Sequence, residues 1–126
     1  MEITFLTSSD LEAGTTYVPA VEVSAADRIV FVSGQVPQTP ANEVPADFAS
    51  QCRLAWANVL SILAKAGMSR ENLVKVTVFL SDRRYRDENA MIRDEVLGSH
   101  RVALTVVIVD IFEPHWLLEI EALAAA

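Results

Sequence analysis

Between Val102 and Val109 the sequence reads VALTVVIV, with one hydroxyl and no charge. Valine and isoleucine are stiff at χ1 and favour a pleated backbone, so the run is predicted as a strand. Alternation sends Leu104, Val106 and Ile108 to one face and Thr105, Val107 and Val109 to the other. A strand that is apolar on both faces has to be covered on both. Whatever the chain folds into must therefore supply a layer on each side of this strand.

The rest of the sequence supplies one such layer. Phe48, Cys52, Ala55, Trp56, Val59, Ile62, Leu63 and Ala66 recur at helical spacing, with Asp47 near the start and Gly67 as a stop signal. A second helix is predicted in RRYRDENAMIRDEVLG, with Tyr85, Ala90, Met91, Ile92 and Val96 as its apolar residues and Gly98 at its end. Val21–Val23 and Arg28–Val36, separated by the corner Ser24-Ala25-Ala26-Asp27, read as a hairpin. LVKVTVFLSD and WLLEIEALA read as further strands, and ITFLT as an additional edge strand. The order strand, strand, helix, strand, helix, strand, strand gives one α+β domain over residues 1–126: a mixed β-sheet with two helices packed on one face. Two helices cover one face, which leaves the other to be packed against further copies of the chain. The alternative is a monomer with a more strongly curled sheet.

Composition narrows the partners. Hydrophobic residues make up 52% of the chain, which argues for a packed core. With 17 acidic against 10 basic residues the net charge is −7, unfavourable for nucleic acid unless the cations cluster on one face. The densest group, Arg83, Arg84 and Arg86, is followed at once by Asp87 and Glu88 and reads as a solvated helix start. Neither a basic leader with an apolar core nor an apolar run of membrane-spanning length is visible, so a cytoplasmic protein without membrane contact is expected. Cys52, the single cysteine, reads as a small buried filler rather than a nucleophile. His100 and His115 flank strands without metal-ligand spacing, and no metal site is predicted.

IVFVSGQVP, the long helix, LVKVTVFLSD, an Asn-bearing second helix and LLEIEALA, in that order, resemble the reactive intermediate deaminase (Rid) family from about Tyr17 to Ala124. The resemblance implies a chorismate-mutase-like fold and a barrel-like homotrimer with sites in the clefts between subunits. It also implies hydrolysis of small reactive imines and enamines to a carbonyl compound and ammonia, with no cofactor. Hydrolysis of a C=N bond needs a carboxylate to orient and deprotonate water, and Glu119 matches the family's acid. Glu121 shares its face of the strand. Tyr17, in TTYVPA, matches an aromatic of the family cleft, able to hydrogen-bond a ligand and wall it from water, and is grouped with Glu119 as catalytic. The candidate substrate-binding residues are Gly34, whose bare backbone permits close approach, Asn89 on the second helix, and Leu104 and Val106 on the apolar strand.

Leu104 is also where the sequence departs from the pattern. The family's strand opens with a proline-alanine-arginine-serine motif whose arginine pairs with a substrate carboxylate, and counting back from Glu119 puts that arginine at Leu104. Arg101, three residues earlier, is roughly 10 Å away and on the opposite face. It substitutes only if the strand begins later or the EPHW turn holds an insertion. Two functions follow: a Rid-like hydrolase of a small imine, enamine or related metabolite with altered substrate preference, or a non-catalytic small-metabolite-binding or regulatory trimer. Retention of Glu119 favours the first and loss of the arginine the second.

Overall fold

The computed structural model describes residues 1–7 and 17–126; part of the N-terminal stretch read above for a leader lies outside them. Among the described residues, seven strands and two helices follow in chain order: β1 (Glu2–Leu6), β2 (Tyr17–Val18), β3 (Ala20–Ser24), β4 (Ile29–Gln35), α1 (Phe48–Lys65), β5 (Leu73–Leu80), α2 (Arg86–Leu97), β6 (Val102–Ile108) and β7 (Leu118–Ala125). Short 3₁₀ turns at Arg70–Asn72 and Arg83–Tyr85 precede β5 and α2.

The five-stranded sheet has the order β2-β6-β5-β7-β4, with β6 parallel to β5 and to β2, and β7 antiparallel to β5 and β4. It is a mixed sheet with two helices on one face, as the alternation of sequence patterns predicts. The hairpin does not form. β3 pairs instead with β1 in a separate two-stranded ribbon, and β4 crosses to pair with β7. The corner is real, since Ala25 adopts φ 56°, but it carries the chain between sheets.

Helix α1 begins where Asp47 accepts the backbone N–H of Ser50 at 2.9 Å, a hydrogen bond that caps the helix and lowers the Asp47 pKa. It ends at Gly67, whose φ of 70° suits a residue without Cβ. Its buried stripe of Phe48, Cys52, Ala55, Trp56, Val59 and Leu63 packs on Val76, Val78, Leu80, Leu118, Ile120 and Ala122 of the sheet. Phe48 stacks on Tyr85 with ring centroids 4.5 Å apart, which joins the starts of the two helices. Cys52 is fully buried, and burial pushes its thiol pKa up to about 12, the behaviour of a filler.

In α2 the buried residues are Asn89, Ile92, Arg93 and Leu97. Met91, read as part of the apolar stripe, points outward and is 51% exposed. Its place toward the interior is taken by a guanidinium.

The face away from the helices carries Phe31, 73% exposed, with Phe79, Val107, Glu119 and Glu121. No helix is long and apolar enough to cross a membrane among the described residues.

Candidate functional site

The predicted site residues fall into two groups. Strand β5 sorts them, because residues paired across a sheet point to the same face. Phe79 pairs with Glu119 on one side and Val107 on the other, which places Glu119 on the face without helices. Val76 pairs with Leu104 and Val78 with Val106, which places both on the helix face.

On the open face, Glu119 lies half-buried in a cavity of about 370 Å³ with Gly34, Phe79, Asp110 and Glu121 among its walls. A β-bulge makes this possible. Between Val32 and Gln35, strand β4 spends one residue more than β7 does between Ala122 and Ile120, and the irregular pair is Ser33-Gly34. The bulge brings the Gly34 backbone against the Glu119 carboxylate. A Cβ on residue 34 would lie 2.7 Å from Glu119 Cδ and closer still to Oε1, so any larger residue here would displace the Glu119 carboxylate. The Gly34 backbone, expected to permit close approach of a ligand, lies in this structure against the acid itself.

On the helix face, a cavity of about 540 Å³ opens between α2 and the far half of β6. Tyr17, Asn89, Leu104 and Val106 line it together with Ile108 and Arg93. It exists because the helices stop short of this edge of the sheet: Val106 and Ile108 remain 39% and 42% exposed. Asn89 is not a solvated amide. It is 2% exposed, and its Oδ1 accepts a weak contact from Cys52 Sγ at 3.9 Å. Arg101 lies immediately before β6, half-buried, and lines neither cavity.

Two residues that shape these sites escaped the sequence reading. Arg93 is 8% exposed and its guanidinium carbon stands 5.8 Å from the centre of the Tyr17 ring. Desolvation lowers its pKa, yet an arginine stays charged at any physiological pH. Its signal was the spacing Arg86, Asn89, Ala90, Arg93, which is one face of a helix. Gln51, 2% exposed in α1, donates from Nε2 to the carbonyls of Pro45 and His115 at 2.8 and 3.1 Å and accepts the Leu117 N–H at 2.8 Å. It thereby fixes the turn that delivers β7 and Glu119.

No group of three His, Cys, Asp or Glu side chains is placed to hold a metal ion among the described residues. His100 instead hydrogen-bonds through Nε2 to the Leu73 carbonyl oxygen at 2.7 Å.

The chain is 33% identical over 113 residues to the mitochondrial protein MMF1 of Saccharomyces cerevisiae, an alignment covering 89% of this chain and 76% of that one. It is 42% identical over 67 residues to the putative reactive intermediate deaminase TdcF of Escherichia coli, covering 52% and 50% of the two chains. This chain thus spans about half the length of the first curated relatives it matches. The crystal structure of E. coli TdcF with bound serine superposes with a TM-score of 0.74 at 32% identity, over 87% of each chain. A Rid-family protein of Yersinia pestis, YyfB, shares the fold at a TM-score of 0.86 and 21% identity over the full length of both chains. The family described as Endoribonuclease L-PSP matches residues 7–126, and this chain belongs to it, the family of the Rid proteins.

Proposed function

We propose that the protein is a hydrolase of small imines, enamines or related reactive metabolites, working at clefts between the subunits of a barrel-like homotrimer. The observation that carries this reading is the seat of Glu119: a half-buried carboxylate set against the bare backbone of Gly34 on an open sheet face. Imine hydrolysis needs a base beside the attacked carbon, to orient water and take its proton as the C–O bond forms. The nitrogen then has to leave as ammonia, and the same carboxyl group can return a proton to it.

The division of the site supports assembly. In a single copy, Glu119 with Gly34 and the wall of Tyr17, Asn89, Leu104 and Val106 lie on opposite faces of the sheet. The first cavity is bordered by Asp110, Glu119 and Glu121, the second by Arg83, Arg86 and Arg93. Opposite charge on two different surfaces suits a heterologous contact, the kind that closes into rings. A neighbouring copy would then face the acid toward the phenol of Tyr17. Among relatives, TdcF was crystallised with serine, and an E. coli relative 37% identical over 83 residues is named 2-iminobutanoate/2-iminopropanoate deaminase, which favours a small amino-acid-derived substrate.

Leu104 modifies the preference. An isobutyl group where the resemblance implies a guanidinium offers apolar surface, worth about 1.5 to 3 kcal/mol when fully buried, and no charge. The same substitution favours the second reading, a trimer of this fold that binds a metabolite without turning it over. Ammonia release from imines generated in situ decides between them. Turnover of imines with an apolar side chain, abolished in Glu119→Gln, supports the hydrolase; binding without ammonia release on any imine offered supports the second reading.

A further inference from the structure

Two amide side chains on α1 reach the two strands that meet at the acid. Gln51 accepts the N–H of Leu117, two residues before Glu119, at 2.8 Å. Asn58 donates from Nδ2 to the carbonyls of Val36 and Gln38 at 2.9 and 3.2 Å, and Val36 stands two residues beyond Gly34. The amides are seven residues apart, which is two helical turns on one face, or about 10 Å. Their neighbours Ala55 and Val59 are fully buried, so this face of α1 is otherwise apolar core. Amides belong there because the strand ends would else bury polar groups without partners. The attachments also fall at one place in the sheet. Gln35 opposite Ile120 is the last pair between β4 and β7, and the Ser33-Gly34 bulge lies just before it. Past that pair Val36 is held by Asn58 and Leu117 by Gln51, so each strand is tied to α1. A bulge disrupts the ladder locally, so ladder hydrogen bonds alone do not set the offset of Gly34 against Glu119.

We propose that Asn58 and Gln51 are positioning residues for the Gly34–Glu119 pair. The two-turn spacing of the amides fixes how far β4 and β7 slide past each other, and with it where the Glu119 carboxylate stands against the Gly34 backbone. The inference rests on the reading that Glu119 works from this seat. Neither amide is among the described residues that border the acid cavity, so both act through the strands they hold. A displacement of about 1 Å at a reacting group can cost about 100-fold in rate, so slack at either anchor reaches turnover. A role confined to holding the segment after β4 would lower the melting temperature and leave the rate of the folded protein unchanged.

Asn58 is the residue to change, since it is half-buried where Gln51 is 2% exposed. Asn58→Leu and the shorter Asn58→Ser each withdraw the donors from Val36 and Gln38. In whichever folds, kcat for imine hydrolysis should fall about 10- to 100-fold with KM changed by less than about threefold. Asn58→Gln, which keeps the amide on a longer stem, should recover part of the loss. A second measurement needs no turnover. Glu119→Gln removes the charge beside Gly34 and should move the Gly34 backbone amide resonance in the parent. In the Asn58 variant the same change should move it less than about half as far, a coupling read as in a double-mutant cycle. An unchanged kcat, a rise in KM alone, or an undiminished Gly34 response in a folded Asn58 variant would overturn the proposal. If the parent releases no ammonia from any imine, the hydrolase reading fails by itself, and the Gly34 response still decides the positioning.

Discussion

Leu104 and Glu119 lie on opposite faces of one sheet, sorted by their β5 partners Val76 and Phe79, which are an odd number of residues apart. A substrate touching Leu104 in one copy is separated from that copy's Glu119 by the thickness of the sheet. Either the two belong to different sites or a second chain supplies one of them. The proposed trimer is the second case, and its consequences can be measured.

Sedimentation equilibrium should give a concentration-independent mass near three times 13.8 kDa. Phe31, 73% exposed on the open face, is the residue to perturb: Phe31→Glu should lower the mass toward the single chain and remove turnover with it, leaving the helix signal of the protomer intact. Full activity in a monomeric protein would break the link between assembly and site.

Glu119→Gln should keep the fold, since the side chain is half-buried and isosteric, and should lower imine hydrolysis by about 10² to 10⁴. Steady-state ammonia release, with melting temperature as the control, reads both. Equal rates would assign Glu119 to structure.

Gly34→Ala tests the seat rather than the acid. Its backbone is not in the left-handed region, so the penalty is steric alone: the added methyl overlaps the Glu119 carboxylate and has to displace it. Turnover should fall nearly as far as in Glu119→Gln while stability changes by about 1 to 3 kcal/mol, the range for overpacking. A fully active Gly34→Ala would mean that the carboxylate works from another position.

Cys52, with its thiol raised to about 12 by burial, should resist iodoacetamide in the native protein at pH 8 and react after unfolding. The same shift sets a pH dependence. Because the folded pKa lies above the ordinary value of 9.0, the folded state holds this proton longer than the unfolded chain. Its contribution to stability is complete below about pH 9 and is lost as pH rises toward 12. Cys52→Ala should flatten that part of the stability profile. An unchanged profile would place the alkaline transition elsewhere.

The elements that could be read from the sequence are those whose signal is local. The α1 stripe, its Asp47 cap and its Gly67 end lie within one stretch of chain, and α1 forms at Phe48–Lys65. The hairpin failed for the opposite reason. Two adjacent β-branched runs with a corner between them match a hairpin locally, but β4 gains more by pairing with β7, where Val32 meets Ala122 over the α1 face, and that partner is far along the chain. The resemblance names Glu119, Tyr17 and Asn89 as candidates, but not that the first borders one cavity and the other two line another. That Gly34 serves Glu119 was not legible either, because a bulge is a relation between strands. Arg93 was overlooked because a search for apolar periodicity passes over a cation on the buried face of a helix, although its spacing from Asn89 was in plain view.

Among the described residues, the Gln51 side chain hydrogen-bonds to main chain: two carbonyls and one amide. The turn before β7 is therefore gripped by its backbone and not by what its residues happen to be. The side chain of Phe112, 86% exposed, can therefore vary without loosening the strand that carries Glu119, so the outer surface of the turn can change while the acid itself stays put.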